Sequence, residues 1–426
     1  MRKFVHIGIS AMPRNALLGI FLSSLLAVAC APTCAPDVEN TNSGYRVPPI
    51  LDDGWQVAAP EDLGLKRESF SKLTEIISSD IDFPNVHALL IVKNNRLVYE
   101  EYFSGTDRRF DSDGQLQTVT VQFTHDTLHD IRSVGKSITS ALVGIALSSG
   151  AVASLDVPVV EYFPEHEELL TPEIGQITLR HALTMSAGLS WNELDVSYAN
   201  PENDWEQMAA SDDPFGFLLD RKMSSKPGEV WSYNSGLPSL LGIIISRATG
   251  RPFGAYAREM LFEPLGIYNL EWTGSMSWAD IPELKWDGSK PWARVAWPAG
   301  RLWLRPRDLA KFGALYLNDG RWGGQQIIPA DWITESTRRR IPIRESESEY
   351  GIHGYGYLWA HDRFHDREYG ELEVFSAVGN GAQRIFVVPS LSLIVVHLAG
   401  LYNDPISFWS PELLLLSHIV PAIRGN

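Results

Sequence analysis

The sequence predicts an α/β fold in which strands from both chain ends build one sheet and an all-α region is inserted between them. Three observations carry this. Strand-like runs gather before residue 124 and after residue 350, whereas helical pieces broken by Pro, Gly and Trp fill 151–344. Between the first strands and that stretch, "SITSALVGIALSSG" is apolar almost all round, the mark of a helix buried on every side.

Taken in order, the chain opens with Arg2, Lys3 and Arg14 ahead of "ALLGIFLSSLLAVA", and Cys30 follows directly. An apolar run of about fourteen residues falls short of the roughly 20 needed to span a bilayer, and the layout is that of a secretory signal. "AVAC" resembles a bacterial lipobox, which would place a lipid on Cys30, although Ala27 stands where Leu is usual; plain cleavage after Ala29 is the other route. Residues 1–29 are therefore expected to be a signal peptide and 30–50, polar and Pro-rich, a flexible tether. The expected product is exported to the bacterial cell envelope and held at the membrane through Cys30. Only Cys34 accompanies that residue, so internal disulfides contribute nothing to the mature fold.

Residues 51–150 and 345–426 are expected to form an α/β domain, with 151–344 as the mainly helical insert. "LTEIISSDI" has the spacing of an amphipathic helix. "HALLIVKNNRLVYEEYF" reads as two strands turned at "KNN", and "LQTVTVQF" alternates as a further strand. After the insert come "YGYLWAH", "ELEVFSAVG" and "RIFVVPSLSLIVVHLAG" as strands, then a closing apolar helix, "PELLLLSHIVPAI".

At 426 residues the chain can bury a sizeable site, and 44% hydrophobic with 21% charged residues is an ordinary enzyme composition. A net charge of -16 opposes binding to nucleic acid. No metal or organic cofactor is called for.

"DIRSVGKSITSALVG" can be read in two ways. Gly135, Lys136 and Ser137 spell the end of a phosphate-binding loop, but the glycine such a loop needs five residues earlier is Asp130, whose carboxylate repels phosphate. Ser133 and Lys136, three apart on one helix face, instead spell a nucleophile and its base. A serine at a helix start also has free N–H groups nearby to stabilise an oxyanion. Ser69 and Lys72 repeat the spacing on an amphipathic surface helix, so context must decide.

That context resembles a family. "SVGKSITS", "LRHALTMSAGLSW", "PGEVWSYNSGLPSLLG", "FEPLGI", "RPRDLAKFGALYLNDGRW" and "GNGAQRIFVVPSLSLIVV" stand in the order found in serine hydrolases related to class C β-lactamases. Relatives of that family include penicillin-binding DD-peptidases, esterases and 6-aminohexanoate-dimer hydrolases. The resemblance covers roughly 52–400 and implies a β-lactamase/DD-peptidase-like α/β/α sandwich, with an antiparallel sheet from both chain ends and an inserted all-α region. It also implies that Ser133 is the nucleophile, Lys136 its base partner and Tyr233, in "WSYNSG", the catalytic tyrosine.

Two departures bear on substrate. The tyrosine motif has Ser235 at its third position with Asn234 moved between, and either could face the substrate. The family's Lys-Thr-Gly motif has no counterpart in "EVFSAVGNGAQ". In β-lactamases that lysine helps to hold the substrate carboxylate, so its absence favours esters or small amides over β-lactams, unless Arg384 substitutes for it. The same strand is expected to supply an oxyanion N–H at Ala377, with Gly379 allowing close approach of a ligand and Asn380 facing the pocket. β-Lactamase or DD-peptidase activity, and a catalytically silent penicillin-binding-like protein, are the alternatives.

Overall fold

The computed structural model describes residues 44–274, 276–286, 288, 294–343, 353–366 and 370–424. The expected signal peptide and the lipid-bearing Cys30 lie outside the described residues. Within the expected tether of 30–50, Tyr45 is buried, with its ring stacked against Tyr99 and its hydroxyl donating to Val98 O at 2.7 Å. One aromatic anchor in a polar run carries no periodicity, which is why the packed chain begins earlier than its composition suggests.

Nine strands form one sheet in the order Gln56–Val57, Arg96–Tyr102, Val86–Lys93, Leu393–Ala399, Gln383–Val388, Gly370–Gly379, Ala360–Asp366, Gly354–Tyr355 and Ile341–Pro342. All neighbours are antiparallel except the first pair. Leu393–Ala399 lies directly beside Val86–Lys93, so the two chain ends meet at the sheet centre. The "KNN" turn closes on Asn94 and Asn95, with φ of 51° and 60°. Asparagine tolerates this left-handed geometry, and it matches the twist of a two-residue hairpin.

Strand alternation sends residues to two cores. Leu89, Ile91 and Val395 face the helix Arg67–Ser78, whose Phe70, Leu73 and Ile77 recur at helical spacing, and the C-terminal helical run with Leu414, Leu415 and Ile419. Leu90, Val92, Ile394 and Val396 face the other way, towards the helix Val134–Ser148, which is buried without a break from Val134 to Ala146. The helix Gly236–Thr249 packs on that central helix. This is the layered α/β architecture of the sequence reading. The helix Pro306–Leu317, inside the expected 151–344 insert, packs on the sheet itself: a Cβ on Gly313 would come within 2.8 Å of Ile394 and 3.0 Å of Ile385.

"LQTVTVQF" does form a strand, Leu116–Gln122, but it pairs with Ser104–Phe110 in a separate two-stranded sheet. Leu116–Thr120 and Gln122 are exposed, so the strand has no apolar face to bury. Among the described residues, no helix is long and apolar enough to cross a membrane.

Candidate active site

The chain enters the central helix through a short strand, His129–Asp130, paired with Leu302–Leu304. Ile131 N–H donates to Leu302 O at 2.9 Å, and this pairing sets Ala299, Gly300 and Arg301 beside the helix start. Gly135 and Gly300 let the two backbones meet: a Cβ on Gly300 would lie 2.8 Å from Arg132 O, and one on Gly135 3.1 Å from Gly300 Cα. Arg132 takes a φ of 50°, a left-handed backbone that is unfavourable for any residue with a Cβ. Asp130 holds it there, accepting from Arg132 N–H at 3.0 Å and pairing with its Nε at 3.0 Å. The carboxylate that rules out a phosphate loop shapes the turn before Ser133.

Ser133 is the N-cap of the helix, and Lys136, one turn on, is 3% exposed. Lys136 Nζ lies 2.7 Å from Ser133 Oγ and 2.9 Å from Ala299 O. Tyr233 OH reaches the same Oγ at 2.8 Å, and Lys136 Nζ lies 5.0 Å from the centre of the Tyr233 ring. Ala299 O can accept only an N–H from Lys136. A neutral amine in this position donates there and keeps its lone pair for the hydroxyl proton of Ser133. The three residues singled out in the sequence thus meet at one oxygen.

Tyr233 owes its placement to Glu193, which the sequence reading missed. This carboxylate is 2% exposed and accepts from Ser235 N–H at 2.8 Å, Ser235 Oγ at 2.6 Å, Trp191 Nε1 at 2.9 Å and Tyr198 OH at 2.9 Å. Four donors offset the cost of burying a carboxylate and fix the "WSYNSG" segment. A single acid two residues after Trp191 carries no sequence pattern that would mark it. Asn234 turns away, its Oδ1 accepting from Gly236 N–H at 2.8 Å, while Ser235 lines the cavity at Ser133.

On the opposite side stands the strand Gly370–Gly379. Its neighbour Ala360–Asp366 starts at Ala360, opposite Ser376, so Ala377, Val378 and Gly379 have a strand partner on one side only. Ser376, Val378 and Asn380 line the space at Ser133. Ala377 is fully buried in the core and its side chain is not part of that lining. Gly379 serves a different purpose from the one expected: a Cβ there would lie 2.6 Å from Ile131 O and 3.2 Å from Arg132 Cβ. The backbone it admits is the chain's own entry to Ser133. Asn380 is held by Asn403, donating through Nδ2 at 2.6 Å and accepting from Asn403 N–H at 2.8 Å. Arg384 does not replace the missing lysine, being 1% exposed and paired with Glu412 at 2.8 Å behind the strand.

Two cavities meet at Ser133, Lys136 and Asn380. One of about 310 Å³ is bordered by Glu193, Ser235, Arg108, Arg132 and Arg301. The other, of about 70 Å³, is mainly apolar, with Leu194, Trp231, Tyr233, Leu358 and Phe408. Of the tryptophans near the motifs, Trp231 lines a cavity, whereas Trp359 is fully buried.

The family model described as Beta-lactamase matches residues 81–401. The chain belongs to the Beta-lactamase family. Members of this family share a serine acyl-enzyme mechanism and include esterases, amidases and peptidases. An uncharacterized protein of Alkalihalophilus pseudofirmus is 23% identical over 331 residues, 75% of this chain and 85% of that protein. Esterase EstB of Burkholderia gladioli is 31% identical over 153 residues, 33% of this chain and 38% of the esterase, so the match spans little over a third of that relative. The crystal structure of a class C β-lactamase from Rhodobacter sphaeroides superposes with a TM-score of 0.57 at 18% identity, covering 83% of this chain and 99% of that one, which bears on the fold alone.

Proposed function

We propose that this member of the Beta-lactamase family is an exported serine hydrolase that forms an acyl-enzyme on Ser133 and acts on esters or small amides. The observation that carries the reading is the convergence of Lys136 Nζ (2.7 Å) and Tyr233 OH (2.8 Å) on Ser133 Oγ. Lys136 takes the hydroxyl proton as Oγ bonds to the substrate carbonyl carbon. The carbonyl oxygen becomes an oxyanion, held by the N–H of Ser133 at the helix start and by an N–H on the open edge of Ala377–Gly379. As the bond to the leaving group breaks, the proton passes from Lys136 through Tyr233 to the leaving atom. Water then attacks the acyl-enzyme by the same relay and releases the acid.

Esters and small amides are favoured because the strand beside Ser133 lacks the family's lysine and Arg384 is committed to Glu412. The similarity to esterase EstB points the same way. Export follows from the "ALLGIFLSSLLAVAC" segment, and the intact mass of the mature chain distinguishes a lipid on Cys30 from plain cleavage. A fluorophosphonate probe is expected to label the folded protein rapidly and to fail on Ser133→Ala. Absence of labelling on folded native protein sinks the hydrolase reading and leaves the silent binding protein. A panel of p-nitrophenyl esters, a chromogenic cephalosporin and a D-Ala-D-Ala peptide then separates the substrate classes.

A further inference from the structure

The larger cavity is unusual for a chain of net charge -16, because three arginines border it. Arg132 is paired with Asp130 and lies over the Tyr402 ring at 4.6 Å. Arg108 and Arg301 differ. Among the described residues, neither guanidinium has a hydrogen-bond or ion-pair partner, although that of Arg301 lies over the Trp297 ring at 5.3 Å. Two acids also border the cavity, but the oxygens of Glu193 are taken by four donors, and Glu206 is beyond ion-pair distance of either free arginine.

Arg301 is aimed by its backbone. It has a φ of 52°, a left-handed conformation costly for a long side chain, in the same loop whose Ala299 O binds Lys136. Burial and the neighbouring Arg132 lower its pKa from the ordinary arginine value by more than the charges of Asp130 and Glu206 raise it. A partly buried guanidinium without a partner is a ready fork for a carboxylate.

Tyr233 borders only the apolar cavity, and it is the group that hands a proton to the leaving atom in the mechanism above. The leaving group therefore belongs beside Trp231 and Phe408, and the acyl group in the arginine-bearing cavity. We propose that the acyl part of the substrate carries a carboxylate, held by Arg301 and Arg108, so that hydrolysis releases a diacid and an apolar alcohol or amine. This rests on the hydrolase reading. Local arginines also draw an anion towards Ser133 against the field of an acidic protein.

Mono-p-nitrophenyl glutarate and p-nitrophenyl pentanoate share leaving group and acyl length and differ by the carboxylate. The ratio of their kcat/KM values in the native protein is expected to favour the glutarate by about 10- to 100-fold. It should fall towards one in Arg301→Gln, fall partway in Arg108→Gln and be partly retained in Arg301→Lys, which keeps the charge on the same strained backbone. A ratio near one in the native protein, or one unchanged in both glutamine variants, overturns the proposal. Failure of the hydrolase reading looks different: neither ester is cleaved and the fluorophosphonate does not label. In that case calorimetric binding of glutarate, lost in Arg301→Gln, still supports the anion site, and no binding to the native protein overturns it.

Discussion

Two polar clusters lie on either side of Asp130, one half-buried and the other fully enclosed, and they are built to opposite ends. Ser133, Lys136 and Tyr233 converge on one hydroxyl that opens into two cavities. His87, Asp107 and His129 are closed. His87 Nδ1 and His129 Nε2 hydrogen-bond each other at 2.8 Å, His87 Nε2 reaches Thr106 O at 3.0 Å, and His129 Nδ1 reaches Asp130 O at 3.0 Å. Asp107 accepts from Tyr402 OH at 2.7 Å and pairs with Arg109 at 2.6 Å. The histidine set has the composition of a metal site. Its two ring nitrogens nevertheless stand closer than the roughly 3.3 Å expected of two ligands on a tetrahedral ion with bonds of about 2.0–2.1 Å. Reactivity tracks the direction in which hydrogen-bonding capacity is left over, more than the kinds of residue present: the first cluster keeps it facing a cavity, and the second has spent nearly all of it internally.

The comparison breaks most sharply at Tyr233. Tyr233→Phe removes one hydroxyl that bonds Ser133 Oγ and leaves the ring beside Trp231 in place. A fall of about 10²- to 10⁴-fold in kcat/KM for p-nitrophenyl esters is expected, the range for loss of a positioned acid–base group. The melting temperature should stay within a few degrees of the native value, since only an exchanged hydrogen bond is lost. An activity loss below about tenfold would mean that Tyr233 only packs beside Trp231 and takes no part in the proton transfer.

How far the sequence reveals these clusters depends on whether neighbours in space are also neighbours in a pattern. Ser133 and Lys136 are legible because three residues make one helical turn, and Tyr233 because the motifs around it keep their order. The "KNN" hairpin is legible because asparagine reports its own backbone conformation. Glu193 and Arg301 are illegible for the opposite reason: each is a lone residue, given its role by a chain segment that only folding brings near. Gly379 shows the intermediate case. Its need for close approach could be read, but the approaching backbone, Ile131–Arg132, lies some 250 residues away in the chain and could not.

The smaller effect belongs to the closed cluster and is read through pH. Burial lowers the pKa of His87 and His129 from the ordinary histidine value of 6.5, and lowers that of His397, fully buried against Ala382 O, to about 4. Below pH 6.5 the unfolded chain takes up protons on these imidazoles while the folded chain does not. The unfolded state then binds more protons, so stability from this source is complete above pH 6.5 and declines as pH falls towards 4. Burial raises the pKa of Glu101, Glu206 and Glu412, which acts in the opposite sense over part of that window, so the net slope is the wrong observable for the cluster. The difference between native protein and His129→Gln isolates it. A glutamine amide can still donate to Asp130 O but does not titrate, so the melting temperature of the variant, lower at pH 7.5, should fall less steeply between pH 6.5 and 4. Parallel slopes in the two proteins would mean that His129 gains a proton in the folded state as readily as in the unfolded one, and the cluster would then be open to solvent in the way that the Ser133 cluster is.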